Sequence, residues 1–338
     1  MSRQRRSSIL LLLALLAAAT WFLVISITTV RTGETERVII APGTTFGTVT
    51  DTLVARGVVT NRTWFTLLAR LRGLDRSVQA GSYDFPPGES AWRVLNTLRS
   101  GRTAAVRFTV PEGLSLFELA ALARERLKIP AESVLVAARD SLSARENIGE
   151  PAAEGFLFPE TYQVPVNSSA RDLVRIMTRE FAAAWQPEWD YRAQARGMTR
   201  RDVVTLASIV EGEARVDSER PVIAGVYLNR LRIGMPLQAD PSVQYAIEMK
   251  TGRPKTRLFE KDYEIQSPYN TYLHSGLPPG PINSPGLRSI EAALNPAQVP
   301  YLYFVAGPDG HHVFSRTYQE HLQAVAQARR ARSARPGH

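Results

Sequence analysis

Residues 199–213 read Thr-Arg-Arg-Asp-Val-Val-Thr-Leu-Ala-Ser-Ile-Val-Glu-Gly-Glu, and this stretch decides the fold of the C-terminal half. Thr199 with Asp202 three positions later is a capping box, which predicts that a helix begins here. The residues that follow are apolar on nearly all sides, a pattern typical of a helix buried in a domain core. The stretch therefore predicts a buried helix that ends in two glutamates.

Glu211 is the first of these glutamates, and it follows Ala207 by four residues and Val204 by seven. It therefore emerges from an apolar helix face, where a carboxyl group loses hydration and its pKa is expected to rise. A carboxyl that stays protonated near neutral pH suits a general acid for glycosidic cleavage. Glu213 lies on another face, and Gly212 between them lets a substrate approach the backbone. The alternative is an ordinary solvated helix end.

The sequence around this helix predicts a mostly helical α+β domain. The helical segments show apolar spacing, hydroxyl or proline start signals and glycine stops. They are Ser169–Trp185, a helix capped by Ser218 and running through Leu231, a helix started by Asp240-Pro241, and a basic helix over Gln319–Arg332. A β-hairpin is predicted where residues 300–306 and 312–314 flank Gly307-Pro308-Asp309-Gly310.

The N-terminal half repeats one pattern three times: a short strand, a Pro/Gly turn, a hydroxyl cap and a helix. The three copies begin at Val38, Tyr83 and Phe108, and a further helix is predicted over Thr63–Arg72. The pattern resembles the opening of LysM modules, which bind N-acetylglucosamine polymers. An ordinary strand–helix turn without glycan binding is the alternative.

Length and composition limit the number of domains and the classes of partner and site that this chain can have. At roughly 100–200 residues per domain, 338 residues predict two folded modules. The net charge of +9 fits an anionic membrane face or a cell-wall polymer, and we see no nucleic-acid motif. The chain has no cysteine, which excludes disulfides, thiol nucleophiles and thiolate metal sites.

The N-terminus predicts a membrane anchor. Arg3, Arg5 and Arg6 precede an uncharged run in which Ile9–Ile27 approaches the ~20 residues that span a bilayer. The positive-inside rule keeps the arginines in the cytoplasm and places the rest of the chain outside it. A cleaved signal peptide ending near Ala17-Ala18-Ala19 is the alternative, although the apolar run continues beyond it.

Three loops after the buried helix are rich in amides, hydroxyls and aromatic rings, which suit an uncharged sugar chain. The first contains Gln238 and Asp240, where a capping role for Asp240 is the plain explanation. The second contains Tyr269, Asn270, Thr271 and Tyr272. The third is the Gly/Pro-rich segment 276–286.

Together these motifs resemble the MltG-type endolytic transglycosylases, the YceG-like family. The matching stretches are Leu206–Glu213, Asn229–Leu231, Leu237–Pro241, Tyr269–Tyr272, Gly276–Ile282, Pro300–Val305 and Glu154–Tyr162. The resemblance implies a single-pass protein of the inner (plasma) membrane with a periplasmic catalytic domain. It places the family's catalytic glutamate on Glu211 and its second glutamate on Glu213.

The resemblance also implies the chemistry, which is non-hydrolytic cleavage between N-acetylmuramic acid and N-acetylglucosamine. Glu211 protonates the bridging oxygen and then takes the proton of the muramyl C6 hydroxyl, leaving a 1,6-anhydro end. No metal or cofactor is expected. The implied partners are nascent glycan strands and wall-synthesis enzymes such as penicillin-binding proteins, and a role in terminating glycan elongation follows.

Three other functions stay open at this stage. A hydrolase would use Glu211 with Glu213 or Glu160 as second carboxylate. A membrane-tethered glycan-binding scaffold would need no catalysis, and a basic nucleic-acid binder would conflict with the anchor.

The domain plan expected from the sequence has six segments. They are a cytoplasmic tail (1–8), a transmembrane helix (9–30), a linker (31–36), a LysM-like module (37–106), a connecting α/β segment (107–153) and a catalytic domain (154–338).

Overall fold

A computed structural model describes residues 12–14, 16–18, 20, 33–41, 43–101 and 104–333. The chain divides into two compact units. The first comprises Met1–Val106 with Gln163–Asn167, and the second comprises Arg107–Tyr162 with Ser168–His338. The segment 107–153, expected to connect two domains, therefore belongs to the same unit as the residues after 168.

The first unit follows a strand–helix–helix–strand–helix order. Its elements are β1 (Glu36–Ile40), α1 (Phe46–Ala55), α2 (Arg62–Leu71), β2 (Gly81–Phe85) and α3 (Ala91–Ser100). Strands β1 and β2 are antiparallel, with Val38 opposite Tyr83. Thr45 and Ser90 each cap a helix with a side-chain hydroxyl, as the turn pattern predicts, and Asn61 caps α2 with its amide oxygen. The two strands and three helices enclose an apolar core that includes Leu53, Phe65 and Leu98.

Strand β3 (Ala105–Thr109) pairs with β4 (Thr161–Pro165). Beyond these, the second unit is mostly helical, as the sequence predicts. Its helices are α4 (Leu116–Leu127), α5 (Ala131–Arg139), α6 (Leu142–Ile148), α7 (Ala170–Ala184), α8 (Pro187–Gln194), α9 (Arg200–Glu213), α10 (Arg220–Arg232), α11 (Asp240–Thr251), α12 (Leu287–Leu294) and α13 (Tyr318–Ser333). The predicted hairpin is present as antiparallel β5 (Tyr303–Ala306) and β6 (His312–Ser315).

Helix α9 lies at the centre of this unit. Both halves of the Thr199–Asp202 capping box are made, and every residue of Val203–Val210 is buried. Helices α10, α11 and α12 pack around it. The prediction of a buried helix with glutamates at its end is therefore confirmed, and the α+β fold class is confirmed with it.

One predicted helix start and one predicted capping role are wrong, whereas α11 begins at Asp240-Pro241 as predicted. Ser218 does not begin a helix: it lies in the short 3-10 turn Asp217–Glu219, and α10 starts at Arg220 with Pro221 in its first turn. Asp240 is not a cap either, because Ala239 holds the N-cap position of α11. The carboxylate of Asp240 instead accepts a hydrogen bond from the Tyr272 hydroxyl at 2.7 Å.

Most of the predicted transmembrane segment, 9–30, lies outside the described residues. Of the part that is described, residues 12–14, 16–18 and 20 are helical. Among the described residues, none of the helices has both the length and the hydropathy required of a bilayer span.

Candidate active site

A cleft of about 590 Å³ opens at the C-terminal end of α9. We call it the large cleft. Its walls come from the end of α9, from α10, from the loop before α11 and from strand β5. The polar side chains of its lining include those of Glu213, Tyr227, Arg230, Gln238, Asp240, Gln244 and Tyr272. A concave surface with converging polar groups is where a ligand is expected.

Glu213 is the glutamate of the helix end that faces this cleft. Burial raises the pKa of its carboxyl to about 7, and the nearby charge of Asp240 raises it as well. The Tyr227 hydroxyl donates to Glu213 Oε1 at 3.0 Å and, by stabilising the charged form, opposes the rise. Glu213 is also the last residue of α9, where the helix dipole disfavours a negative charge. A substantial fraction of the carboxyl is therefore protonated at neutral pH.

Glu211, the glutamate predicted to be the acid, points elsewhere. Its side chain is only 8% exposed and forms an ion pair with Arg220, with 3.1 Å between Oε1 and the guanidinium. Its other oxygen accepts hydrogen bonds from the backbone of Gly286 at 3.0 Å and from the Ser289 hydroxyl at 2.8 Å. Glu211 lines neither this cleft nor its neighbour. These contacts join the end of α9 to Gly286 and to the first turn of α12.

The two glutamates diverge because side chains two positions apart on a helix do not share a face. Between them, Gly212 lines the cleft and packs against Pro241. A Cβ at Gly212 would lie 2.7 Å from the Pro241 Cβ. The glycine of the motif therefore lets the first turn of α11 pack tightly on the end of α9, where the sequence predicted an approach by substrate.

The Asn229-Arg230 motif on α10 fastens two walls of the cleft. The Asn229 amide donates to the carbonyls of Val299 and Tyr301 at 2.7 and 3.0 Å. The Arg230 guanidinium donates to the carbonyls of Leu302 and Leu237. Burial lowers the pKa of Arg230, a group that nonetheless remains charged at neutral pH. These contacts explain why polar residues recur in a helix that is otherwise packed.

The predicted sugar-binding residues divide into two groups. Gln238, Asp240 and Tyr272 line the large cleft. Asn270 and Thr271 are buried and hold loops together. The Asn270 amide donates to the carbonyls of Tyr263 and Ile265, and the Thr271 hydroxyl accepts from the backbone of Ala239.

Two further predicted residues also lie outside the large cleft. The Tyr269 ring packs edge-on against Tyr245 with centroids 5.0 Å apart. Glu160 is exposed and accepts a hydrogen bond from the backbone of Thr161. Glu160, the carboxylate of this pair, therefore does not line the large cleft beside Glu213.

A second, smaller cleft of about 240 Å³ adjoins the first, and we call it the small cleft. Gly212, Pro241, Gln244 and Thr256 line both clefts. The sequence did not point to this site, because its key residue, Glu248, belongs to no recognised motif.

Behind the small cleft lies Glu154, whose role the sequence also missed. Its carboxyl accepts hydrogen bonds from the Tyr245 hydroxyl at 2.9 Å and from the backbone of Leu116 at 3.0 Å. Burial raises the pKa of Glu154 to about 8, so it is mainly neutral at pH 7. The one sequence feature that could have pointed to Glu154 is its position at the start of the Glu154–Tyr162 motif.

Comparison with known proteins agrees with this architecture. The model of the YceG-like family matches residues 38–327. The chain belongs to the YceG-like family. It is 33% identical over 305 residues to a Bacillus subtilis protein named endolytic murein transglycosylase, covering 84% of this chain and 82% of the relative. The family resemblance seen in the motifs is confirmed.

Two further relatives of the YceG-like chain are informative. A Streptococcus pneumoniae protein of the same name is 28% identical over 319 residues, and the match covers 85% of this chain but only 57% of the relative. A crystal structure of a yceG-like protein from Listeria monocytogenes aligns with a TM-score of 0.58 at 29% identity, covering 86% of this chain and 99% of that one.

Proposed function

We propose that this protein is a peptidoglycan lytic transglycosylase, a lyase that cleaves glycan strands between N-acetylmuramic acid and N-acetylglucosamine. The relatives named endolytic murein transglycosylase support the activity and the substrate class. The observation that carries the assignment to a site is Glu213, a carboxyl of raised pKa at the wall of the large cleft.

Glu213 acts first as an acid and then as a base. Its proton passes to the glycosidic oxygen, and the bond from that oxygen to the muramyl C1 breaks. The C6 hydroxyl of the same muramyl residue then bonds to C1 and gives its proton to the Glu213 carboxylate. The products are a free hydroxyl on N-acetylglucosamine and a 1,6-anhydromuramyl end, and the enzyme is restored. One carboxyl suffices because no water is activated, whereas most glycosidases need two.

Tyr227 positions this carboxyl. Its hydroxyl is hydrogen-bonded to Glu213 Oε1, and its ring is buried between α9 and strand β5, edge-on to Phe304. An acid that must donate and then accept at one atom benefits from a fixed orientation. Glu211, which the sequence placed in the acid role, instead supports the wall through Arg220 and Ser289.

Hydrolysis is the competing chemistry, and Asp240 is the observation in its favour because it is the second carboxylate of the large cleft. Digestion of purified peptidoglycan in oxygen-18 water separates the two reactions. The lyase leaves anhydromuramyl ends that carry no label and weigh one water less than hydrolysis products. Stoichiometric label at the new ends would assign a hydrolase, with Asp240 the next residue to replace.

The first unit is proposed to bind glycan as a LysM-like module. Its strand–helix–helix–strand order and its antiparallel β1–β2 pair support this role. In nuclear magnetic resonance spectra, an N-acetylglucosamine tetramer should shift amide signals within residues 37–106. Shifts confined to the second unit would contradict glycan binding by the first.

Anchoring in the plasma membrane, with the catalytic unit outside the cytoplasm, is proposed from Arg3, Arg5, Arg6 and the apolar run Ile9–Ile27. A C-terminal alkaline phosphatase fusion should be active in cells, and a C-terminal green fluorescent protein fusion should be dark. The reverse pattern would contradict the orientation. Action at nascent strands beside penicillin-binding proteins, and termination of elongation, follow from that location.

A further inference from the structure

The small cleft continues the large cleft past the end of α9. The two clefts share Gly212 and Pro241 as walls, and Gln244 and Thr256 also line both. A polymer that passes Glu213 therefore meets the small cleft as soon as it leaves the large one. A groove for a chain of sugars needs adjoining sites of this kind, one for each ring.

Two side-chain oxygens at the small cleft are shielded from water and accept no hydrogen bond from the described part of the protein. They are Glu248 Oε1 and Asn283 Oδ1, and neither has a hydrogen-bond partner among the described residues. The two side chains are buried, with residue exposures of 4% and 6%. Buried polar atoms are normally satisfied, so an unpartnered pair at a cleft wall indicates a missing ligand.

The remaining polar groups around the cleft define what this ligand offers. Ser115 hydrogen-bonds Glu248, and it also forms the capping box of α4 with Glu118. The Lys255 ammonium, another lining group, pairs with Asp262 at 2.7 Å. The unused atoms are therefore acceptors, which call for O–H or N–H donors.

We propose that the small cleft is a second sugar subsite, in which Glu248 and Asn283 accept hydrogen bonds from the hydroxyl or acetamido N–H groups of the ring next to the cleaved bond. This inference rests on the proposed function, because it takes the ligand to be the same glycan strand. The Asn283 amide already donates to the Ser208 carbonyl at 2.9 Å, so its carbonyl oxygen is held in place by α9. The Tyr245 ring is a further wall of the subsite.

Calorimetric titration of the full chain carrying Glu213→Gln, which binds without cleaving, tests this subsite. The probes are an N-acetylglucosamine tetramer and dimer. Adding Glu248→Met removes the acceptors while keeping the length of the side chain. We expect tetramer affinity to fall about tenfold, equal to 1.4 kcal/mol, and dimer affinity to change less than about twofold. Glu248→Gln keeps one acceptor and should give an intermediate loss.

Glu188→Met, an exposed substitution on α8, is the matched control and should leave both affinities unchanged. Equal tetramer affinity with and without Glu248, in a variant whose circular dichroism matches the parent, would refute the subsite. A loss of affinity seen only with peptide-bearing muramyl fragments would also refute the subsite, because the small cleft would then bind the stem peptide and not a sugar ring. Failure of the proposed function is a separate result: the wild-type protein would yield no anhydro ends, whatever the binding data show.

Discussion

Replacing Glu213 with glutamine should stabilise the protein at alkaline pH and leave its stability unchanged in acid. The carboxyl is partly buried at the wall of the large cleft, and loss of hydration there raises its pKa from 4.5 to about 7. A difference of that size corresponds to about 3 kcal/mol between the two protonation states. Glutamine keeps an oxygen that can accept the Tyr227 hydroxyl, and it carries no charge at any pH.

The sign follows from linkage between protonation and folding. The folded protein binds this proton more tightly than the unfolded chain does. Glu213 therefore costs nothing below pH 4.5, costs more as pH rises towards 7, and imposes its full cost above pH 7. The free energy of unfolding of Glu213→Gln should exceed that of wild type by about 3 kcal/mol at pH 8.5, and by nearly zero at pH 4.5.

Urea denaturation of both proteins across this pH range measures the difference directly, with Trp185 and Trp189 as buried fluorescent reporters in the second unit. Other titrating groups are common to both proteins and cancel. Glu188→Gln is the control, since Glu188 is exposed on α8 and its replacement should give a difference that does not vary with pH. A pH-independent difference for Glu213→Gln would refute the account of a buried acid.

Three further changes test the surroundings of the site. Tyr227→Phe removes a hydrogen bond that lowers the pKa of Glu213. In the wild type we expect kcat/KM to fall as the pH rises through about 7, and in the variant this fall should move to higher pH. An unchanged pH profile would mean that Tyr227 does not tune the acid. Arg220→Ala leaves the buried Glu211 carboxylate without its ion-pair partner and should lower the free energy of unfolding by about 3–5 kcal/mol, as measured by urea denaturation. A decrease below about 1 kcal/mol would show that the pair contributes little to stability. Gly225→Ala should destabilise the protein by about 1–3 kcal/mol because its Cβ would overlap the Ala297 carbonyl. Gly47→Ala in α1 would place a Cβ no closer than 3.9 Å to other atoms and should stabilise by about 0.5–1 kcal/mol, so equal effects of the two changes on the melting temperature would contradict the packing.

Local sequence signals predicted most of the fold. The Thr199–Asp202 capping box and the strand–turn–helix pattern after Val38 depend on neighbouring residues, and the structure confirms both. The predicted cap at Asp240 is wrong because a distant partner binds this side chain. The sequence around Asp240 predicts a helix cap, but its carboxylate instead accepts a hydrogen bond from the Tyr272 hydroxyl at the cleft.

The placement of the site residues also depends on distant partners. Sequence periodicity shows that Glu211 and Glu213 lie on different faces of α9, but the face that meets the cleft depends on Arg220 and Ser289. Those residues come from α10 and α12, so only the folded protein reveals that Glu211 is engaged. Glu248 was missed because its burial against α4 leaves no local pattern.

The assignment of the acid is the central claim, and the activities of Glu213→Gln and Glu211→Gln on purified peptidoglycan test it most directly. Release of anhydromuramyl products should fall at least about a hundredfold for Glu213→Gln, the usual contribution of a general acid. Glu211→Gln should retain a substantial fraction of wild-type activity wherever it remains folded, because its carboxylate supports a wall and lies outside the cleft. A folded Glu211→Gln without activity, beside an active Glu213→Gln, would reverse the two roles and contradict the account.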